Sequence, residues 1–265
     1  EAEDLFVLVT AASAQWHDRE WLERHMPEDA AFTLEDWTTR MSTLIVTGPA
    51  ARDCLGQVCK GDLTLPWLSF QESEIAGAWV ALLRVSFAGE LGWELHAENA
   101  DIPAIYDAVI AAGAKPFGMY ALNALRLEKG YRAWKGDLST DYTMFEGGLD
   151  RFVKLEKPQD FPGKAALMKE KQQGIKKRFV TLIVDAGDCD APYMSTLWHD
   201  GQVVGETTSG GWGYRVHASI ALGMLRADMA VPGTELQIDI YGEMRKAVVQ
   251  KDEPLWDPQN ERLRA

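Results

Sequence analysis

An α+β chain that closes with a small antiparallel β-barrel is the fold class this sequence predicts, and three observations predict it. Between Met41 and Lys129, β-type and helix-type runs follow in the order β-α-β-β-β-α-α, the pattern of helices laid on a mostly antiparallel sheet. After about residue 175 the texture changes to short β runs cut by Gly, Asp and Pro, recurring roughly every ten to fifteen residues, as in a barrel or sandwich. A chain of 265 residues with 46% hydrophobic content can also bury a sizeable core.

Taken in order, Leu5–Thr10 reads as a short buried strand that ordinarily needs a neighbour, which predicts a larger fold cut at this end. A helix follows, with Ser13 as its cap and Trp16, Trp21, Leu22 and Met26 on its inner side. MSTLIVTG is a strand, and Pro49 suits the first turn of a helix reaching about Leu55. Strands are expected over 67–75 and 78–87 with Gly77 between them, then a tight turn on Gly89 and Gly92, then a strand carrying Glu94. Leu83, Val85 and Phe87, and after the turn Trp93, Leu95 and Ala97, alternate with polar residues, so Glu94 takes the polar side.

Helices are predicted over about 100–112, ended by Gly113, and over 119–129, ended by Gly130. Arg126 shares a helix face with Leu122 and Met119. Residues 131–145, rich in aromatics and turn formers, form an ordered loop; 151–155 are strand-like, and 163–173 form a lysine-bearing helix ended by Gly174. The barrel runs are KRFVTLIVD, MSTLWHD, GQVVGETTSG, ASIALGMLR, TELQIDIYG and EMRKAVVQ, with Asp200-Gly201 a hairpin turn. TTSGGWG, lacking the lysine and helix of a phosphate loop, reads as a β turn lining a cleft.

Composition excludes some functions. The 27 basic residues are outnumbered by 40 acidic ones, a net charge of −13, which argues against a nucleic-acid backbone as partner. A local basic patch is conceivable over 151–178, with nine bases against three acids, although solvated lysines on a helix account for it as simply. No apolar run approaches the roughly 18 residues of a membrane span. Three cysteines without a CxxC pair suit a reducing compartment, cytoplasmic or mitochondrial matrix, and the histidine spacing predicts no metal. No GxSxG elbow is present to support nucleophilic hydrolysis.

Glu94 and Arg126 carry the most chemistry. A carboxylate can accept two parallel hydrogen bonds from an amidine-like edge such as that of a pterin, and a guanidinium can clamp a carboxylate; folate offers both ends. The competing reading puts Glu94 on a solvated strand face and pairs Arg126 with a neighbour. Tyr131 and Trp134, in a loop without periodic apolar partners, are candidate stacking residues for a flat ligand.

RVSFAGELGWEL, ALNALRLEKGYR and TTSGGWGYR followed by ASIALGML together resemble the aminomethyltransferase family, that is, the glycine cleavage T-protein and the folate-binding regions of dimethylglycine and sarcosine dehydrogenase-type flavoproteins. PLWDPQNERLR and the loop after Gly130 resemble the flavin-fused branch. The resemblance implies a three-domain cloverleaf lacking its N-terminal part: 1–37 and 126–174 in the second domain, 38–125 in the first, and 175–265 as the barrel. It implies tetrahydrofolate as cofactor, with Glu94 on the pterin, Arg126 on the glutamate end and Phe87 beside the pterin. It also implies a catalytic aspartate upstream of residue 1, and FAD in a partner domain or subunit that oxidises a methylated amine, with room for an oligomer. The expected function is one-carbon transfer to tetrahydrofolate in N-methyl amine demethylation; a free-standing demethylase or glycine-cleavage enzyme, and a folate-binding protein without chemistry, are the alternatives.

Overall fold

The computed structural model describes residues 5–29 and 31–265, and they fall into two compact units. One holds the described residues up to Ser86 with Glu90–Pro116; the other holds Phe87–Gly89 and Phe117–Leu263.

The first unit is built on a four-stranded antiparallel sheet in the order β1 (Met41–Thr47), β4 (Gly92–Glu98), β3 (Ala78–Leu83), β2 (Phe70–Ile75). Ala76 and Gly77, both at positive φ, turn β2 into β3. Alternation sends Trp93, Leu95 and Ala97 inward, fully buried, against Leu55 of α2 (Ala51–Leu55) and Ile105 and Val109 of α3 (Ile102–Ala111). Gly113, at φ 100°, stops α3.

Three local expectations fail here. β3 ends at Leu83, and residues 84–91 form an irregular loop instead of a longer strand and a tight turn. Arg84 keeps backbone hydrogen bonds to Leu68 and Ser69 while its side chain is buried: one guanidinium nitrogen, Nη1, donates to the Gly92 carbonyl at 3.1 Å, and the group lies 4.7 Å from the Trp93 ring centre. Burial, with Arg52 nearby, pulls its pKa down. Leu5–Thr10 forms no strand; no strand pairs with it among the described residues, and Phe6 is 85% exposed. Trp16 and Trp21 of α1 (Gln15–Arg24) are exposed, and the helix starts without a side-chain cap because Ser13 lies inside the 3-10 turn Ala12–Ala14 that precedes it.

The second unit carries α4 (Met119–Glu128), α5 (Lys164–Gln173) and a closed antiparallel barrel. Its strands are β5 (Lys177–Val184), β6 (Thr196–His199), β7 (Gln202–Gly213), β8 (Ala218–Arg226), β9 (Glu235–Ile240) and β10 (Glu243–Val249), hydrogen-bonded in the order β10-β5-β8-β7-β6-β9. All six predicted runs become strands, and Asp200 and Gly201, both at positive φ, make the β6–β7 hairpin. Leu182, Leu197, Ala221 and Ile238 fill the barrel, while Leu127 of α4 joins Phe179, Ile220, Leu222 and Met224 outside it. Residues 150–152 form a 3-10 turn rather than a strand.

Candidate functional site

In the first unit, β4 presents Glu94 and His96 on the face opposite Trp93 and Leu95. Glu94 pairs across the ladder with Ile45 and Leu83, and His96 with Thr43 and Ala81. The Glu94 Oε2 lies 3.1 Å from His96 Nε2, and His96 Nδ1 lies 2.9 Å from the Thr43 hydroxyl. An ionised carboxylate only accepts, so Nε2 carries the ring proton and, in the neutral ring, Nδ1 accepts from Thr43. The Glu94 side chain keeps 22% exposure and His96 16%. The row is a half-buried carboxylate with one oxygen oriented by an imidazole and lone pairs left for further donors. His96 was not among the sequence candidates; its signal is the i, i+2 spacing that puts it on Glu94's face.

In the second unit, Phe87 and Tyr131 stack with ring centres 5.9 Å apart and planes 22° apart. Burial pushes the Tyr131 phenol up. Trp134 is half-buried beside a sharp turn, where it forms a bridge with Leu138 and Lys135 takes a left-handed φ.

Arg126 is placed differently from a ligand clamp. Its guanidinium is 4% exposed and donates to Asn123 Oδ1 (2.8 Å), the Tyr131 carbonyl (3.0 Å), Asp137 Oδ2 (2.6 Å) and Ser209 Oγ (2.7 Å). The guanidinium is committed to four acceptors, two of them, the Tyr131 carbonyl and Asp137, in the loop after Gly130. The reason is Asp137, fully buried, whose carboxylate also accepts from Ala133 N, Thr208 Oγ1 and Ser209 Oγ. An isolated carboxylate at that depth is prohibitively costly, and the guanidinium compensates it. Asp137 was missed because a lone Asp among turn formers reads as a turn residue.

TTSGGWG is likewise not a turn: Thr207–Gly213 is the second half of β7, with a bulge between Thr207 and Ser209. Thr208 and Ser209 face Asp137, and Thr207 Oγ1 donates to the Pro192 carbonyl at 2.7 Å. A Cβ on Gly210 would overlap the Ala191 carbonyl, so the glycine permits close backbone packing.

A cavity of about 740 Å³ opens beside α5, floored by Phe145, Val153, Leu155 and Ile175 and containing none of the five sequence-predicted site residues. Lys154, Lys157 and Lys171 line it together with Asp150, Glu156 and Glu170. The basic stretch is therefore charge-mixed where it folds.

Comparisons with known proteins agree with this architecture. The family model of the GCVT N-terminal domain matches residues 1–157, and that of the glycine cleavage T-protein C-terminal barrel domain matches 177–257. Human mitochondrial dimethylglycine dehydrogenase is 35% identical over 267 residues, covering 97% of this chain and 31% of that protein. An aminomethyltransferase from Geobacillus kaustophilus is 32% identical over 254 residues, 93% of this chain and 69% of its own length. The crystal structure of glycine cleavage system aminomethyltransferase T from Bartonella henselae superposes with a TM-score of 0.80 at 23% identity, over 93% of this chain and 67% of that one. The chain thus spans less than a third of the dehydrogenase relative.

Proposed function

The chain belongs to the glycine cleavage T-protein family, and from that premise we propose that it is the tetrahydrofolate-binding, one-carbon-transfer part of an enzyme that demethylates N-methyl amines of the dimethylglycine or sarcosine kind, with 5,10-methylenetetrahydrofolate as product. Oxidation of the amine falls to an FAD-bearing domain or subunit outside this chain. Bound tetrahydrofolate supplies the amine nitrogens that accept the carbon.

The observation that carries this reading is the Glu94 carboxylate, half-buried on a rigid strand with one oxygen fixed by His96. A pterin edge offers two adjacent N–H donors, and a carboxylate held this way can receive them with little loss of side-chain entropy. Within the second unit, the stacked Phe87 and Tyr131 rings offer aromatic surface of the kind on which a flat ring stacks. Arg126 serves by holding the Tyr131 carbonyl in place. The chain's contribution is thus binding and orientation of the acceptor more than nucleophilic chemistry of its own.

Calorimetric titration of the protein with tetrahydrofolate tests the proposal. Binding is expected, with Glu94→Gln weakening it by about 1–3 kcal/mol, the scale of one charged hydrogen-bonding partner. Absence of binding by the native protein, or unchanged affinity in the variant, overturns it. The coverage of free-standing aminomethyltransferases keeps a flavin-independent enzyme as the second reading; copurifying flavin absorbance separates the two.

A further inference from the structure

The C-terminal end of α4 devotes a buried cation to a segment with no chemistry of its own. Lys129 caps the helix with its side chain wholly buried, and its ammonium donates to the Trp256 carbonyl (3.1 Å), the Asp257 carbonyl (2.8 Å) and Asn260 Oδ1 (2.9 Å). Asp257 and Asn260 hold left-handed backbone, and the Asp257 carboxylate accepts from the amides of Glu261, Arg262 and Leu263. Trp256 N donates to the Glu128 carbonyl at 3.0 Å, and the Arg215 guanidinium covers the Trp256 ring 4.8 Å from its centre. Residues 256–263 are therefore a strap tied to α4.

The same two cations reach the Phe87–Gly89 segment. Gly89 has φ 72°, and any Cβ there would overlap the stem of Lys129, so its backbone rests on that stem. Arg215, paired with buried Glu128, points Nη2 at the Ala88 carbonyl from 3.5 Å. Phe87 is the next residue, and its ring stacks on Tyr131. Burying an ammonium costs several kcal/mol unless its donors are satisfied. Here the strap satisfies all three, which fixes the stem against which Gly89 packs.

We infer that Lys129 is a positioning residue: held by the strap Trp256–Leu263, it sets the Phe87–Tyr131 aromatic pair. The consequence for ligand affinity rests on the folate reading above, but the consequence for the pair does not.

The first measurement needs no ligand. Fluorotyrosine placed at position 131 of the full chain reports its ring neighbour by fluorine NMR. Lys129→Met, which keeps most of the stem and removes the ammonium, is expected to move the Tyr131 resonance in the direction that Phe87→Leu moves it. Should that variant not fold, Asn260→Gly deletes one strap acceptor while keeping the left-handed backbone, and is expected to give a smaller shift of the same sign. A Tyr131 resonance unchanged in the folded variants overturns the inference. In the second measurement, Lys129→Met is expected to weaken tetrahydrofolate about tenfold alone and less than about twofold when Phe87 is already Leu, the non-additivity of residues acting through one contact. Additive losses also overturn it. If the resonance moves while the native protein binds no tetrahydrofolate, the functional proposal falls and the strap inference stands.

Discussion

The row Thr43–His96–Glu94 and the cluster Arg126–Asp137–Thr208–Ser209 are both polar constellations, yet they end in opposite states. On β4 the carboxylate keeps part of its surface in solvent and has one oxygen oriented by His96. Around Asp137 every oxygen is occupied, and the guanidinium and carboxylate are nearly or wholly without exposure. A charged side chain is thus by itself no guide to ligand binding. What matters is whether the fold supplies partners enough to neutralise the group. Where it does, the group becomes structural; where it supplies fewer, capacity remains for a ligand.

The largest effect that would test this contrast is at the closed cluster. Asp137→Ala leaves Arg126 buried without its counter-ion and is expected to cost about 3–5 kcal/mol in urea unfolding, with the loop after Gly130 becoming protease-sensitive. A loss below about 1 kcal/mol would mean the cluster is less closed than its geometry indicates. Gly210→Ala comes next: forcing a Cβ toward the Ala191 carbonyl should cost about 1–3 kcal/mol in thermal unfolding, the range for overpacking. The open row behaves differently. Glu94→Gln should leave stability within about 0.5 kcal/mol of the native protein, as expected away from closed networks, while lowering tetrahydrofolate affinity. His96→Leu should reduce affinity by about 0.5–1.5 kcal/mol by freeing the Glu94 side chain from its orienting bond, measured by the same titration. At the exposed extreme, Lys60 lies 2.6 Å from Glu74 with side chains 72% and 41% exposed; Lys60→Ala should change stability by less than about 1 kcal/mol and respond to salt. A large loss at Asp137 beside small ones at Glu94 and Lys60 would support the contrast, and equal losses at all three would refute it.

Much of the fold was legible because its signals are local. Period-two alternation marked Trp93, Leu95 and Ala97 as core and Glu94 as outward-facing, and positive-φ residues at Asp200-Gly201, Gly113 and Gly130 punctuated the elements where expected. Apart from the second half of β7, the six barrel strands needed nothing more. What escaped depended on distant partners. Arg84 sits at a polar position of an alternating run, but a carbonyl at Gly92 and the Trp93 ring take it into the core. Thr207–Gly213 has turn-former composition, but β8 pairs with it and Asp137 claims its hydroxyls. Leu5–Thr10 has strand composition, but no strand pairs with it among the described residues.

By itself, then, the sequence determined the α+β class, the barrel, the family resemblance and the face on which Glu94 stands, since each follows from spacing of a few residues or from extended motifs. Only the tertiary structure decided that Arg126 is enclosed by acceptors while Glu94 stays partly exposed. Both can form ion pairs, and which one is neutralised depends on residues 11 and 83 positions away from Arg126, at Asp137 and Ser209. Electrostatic satisfaction is a property of three-dimensional neighbours, which local periodicity does not encode.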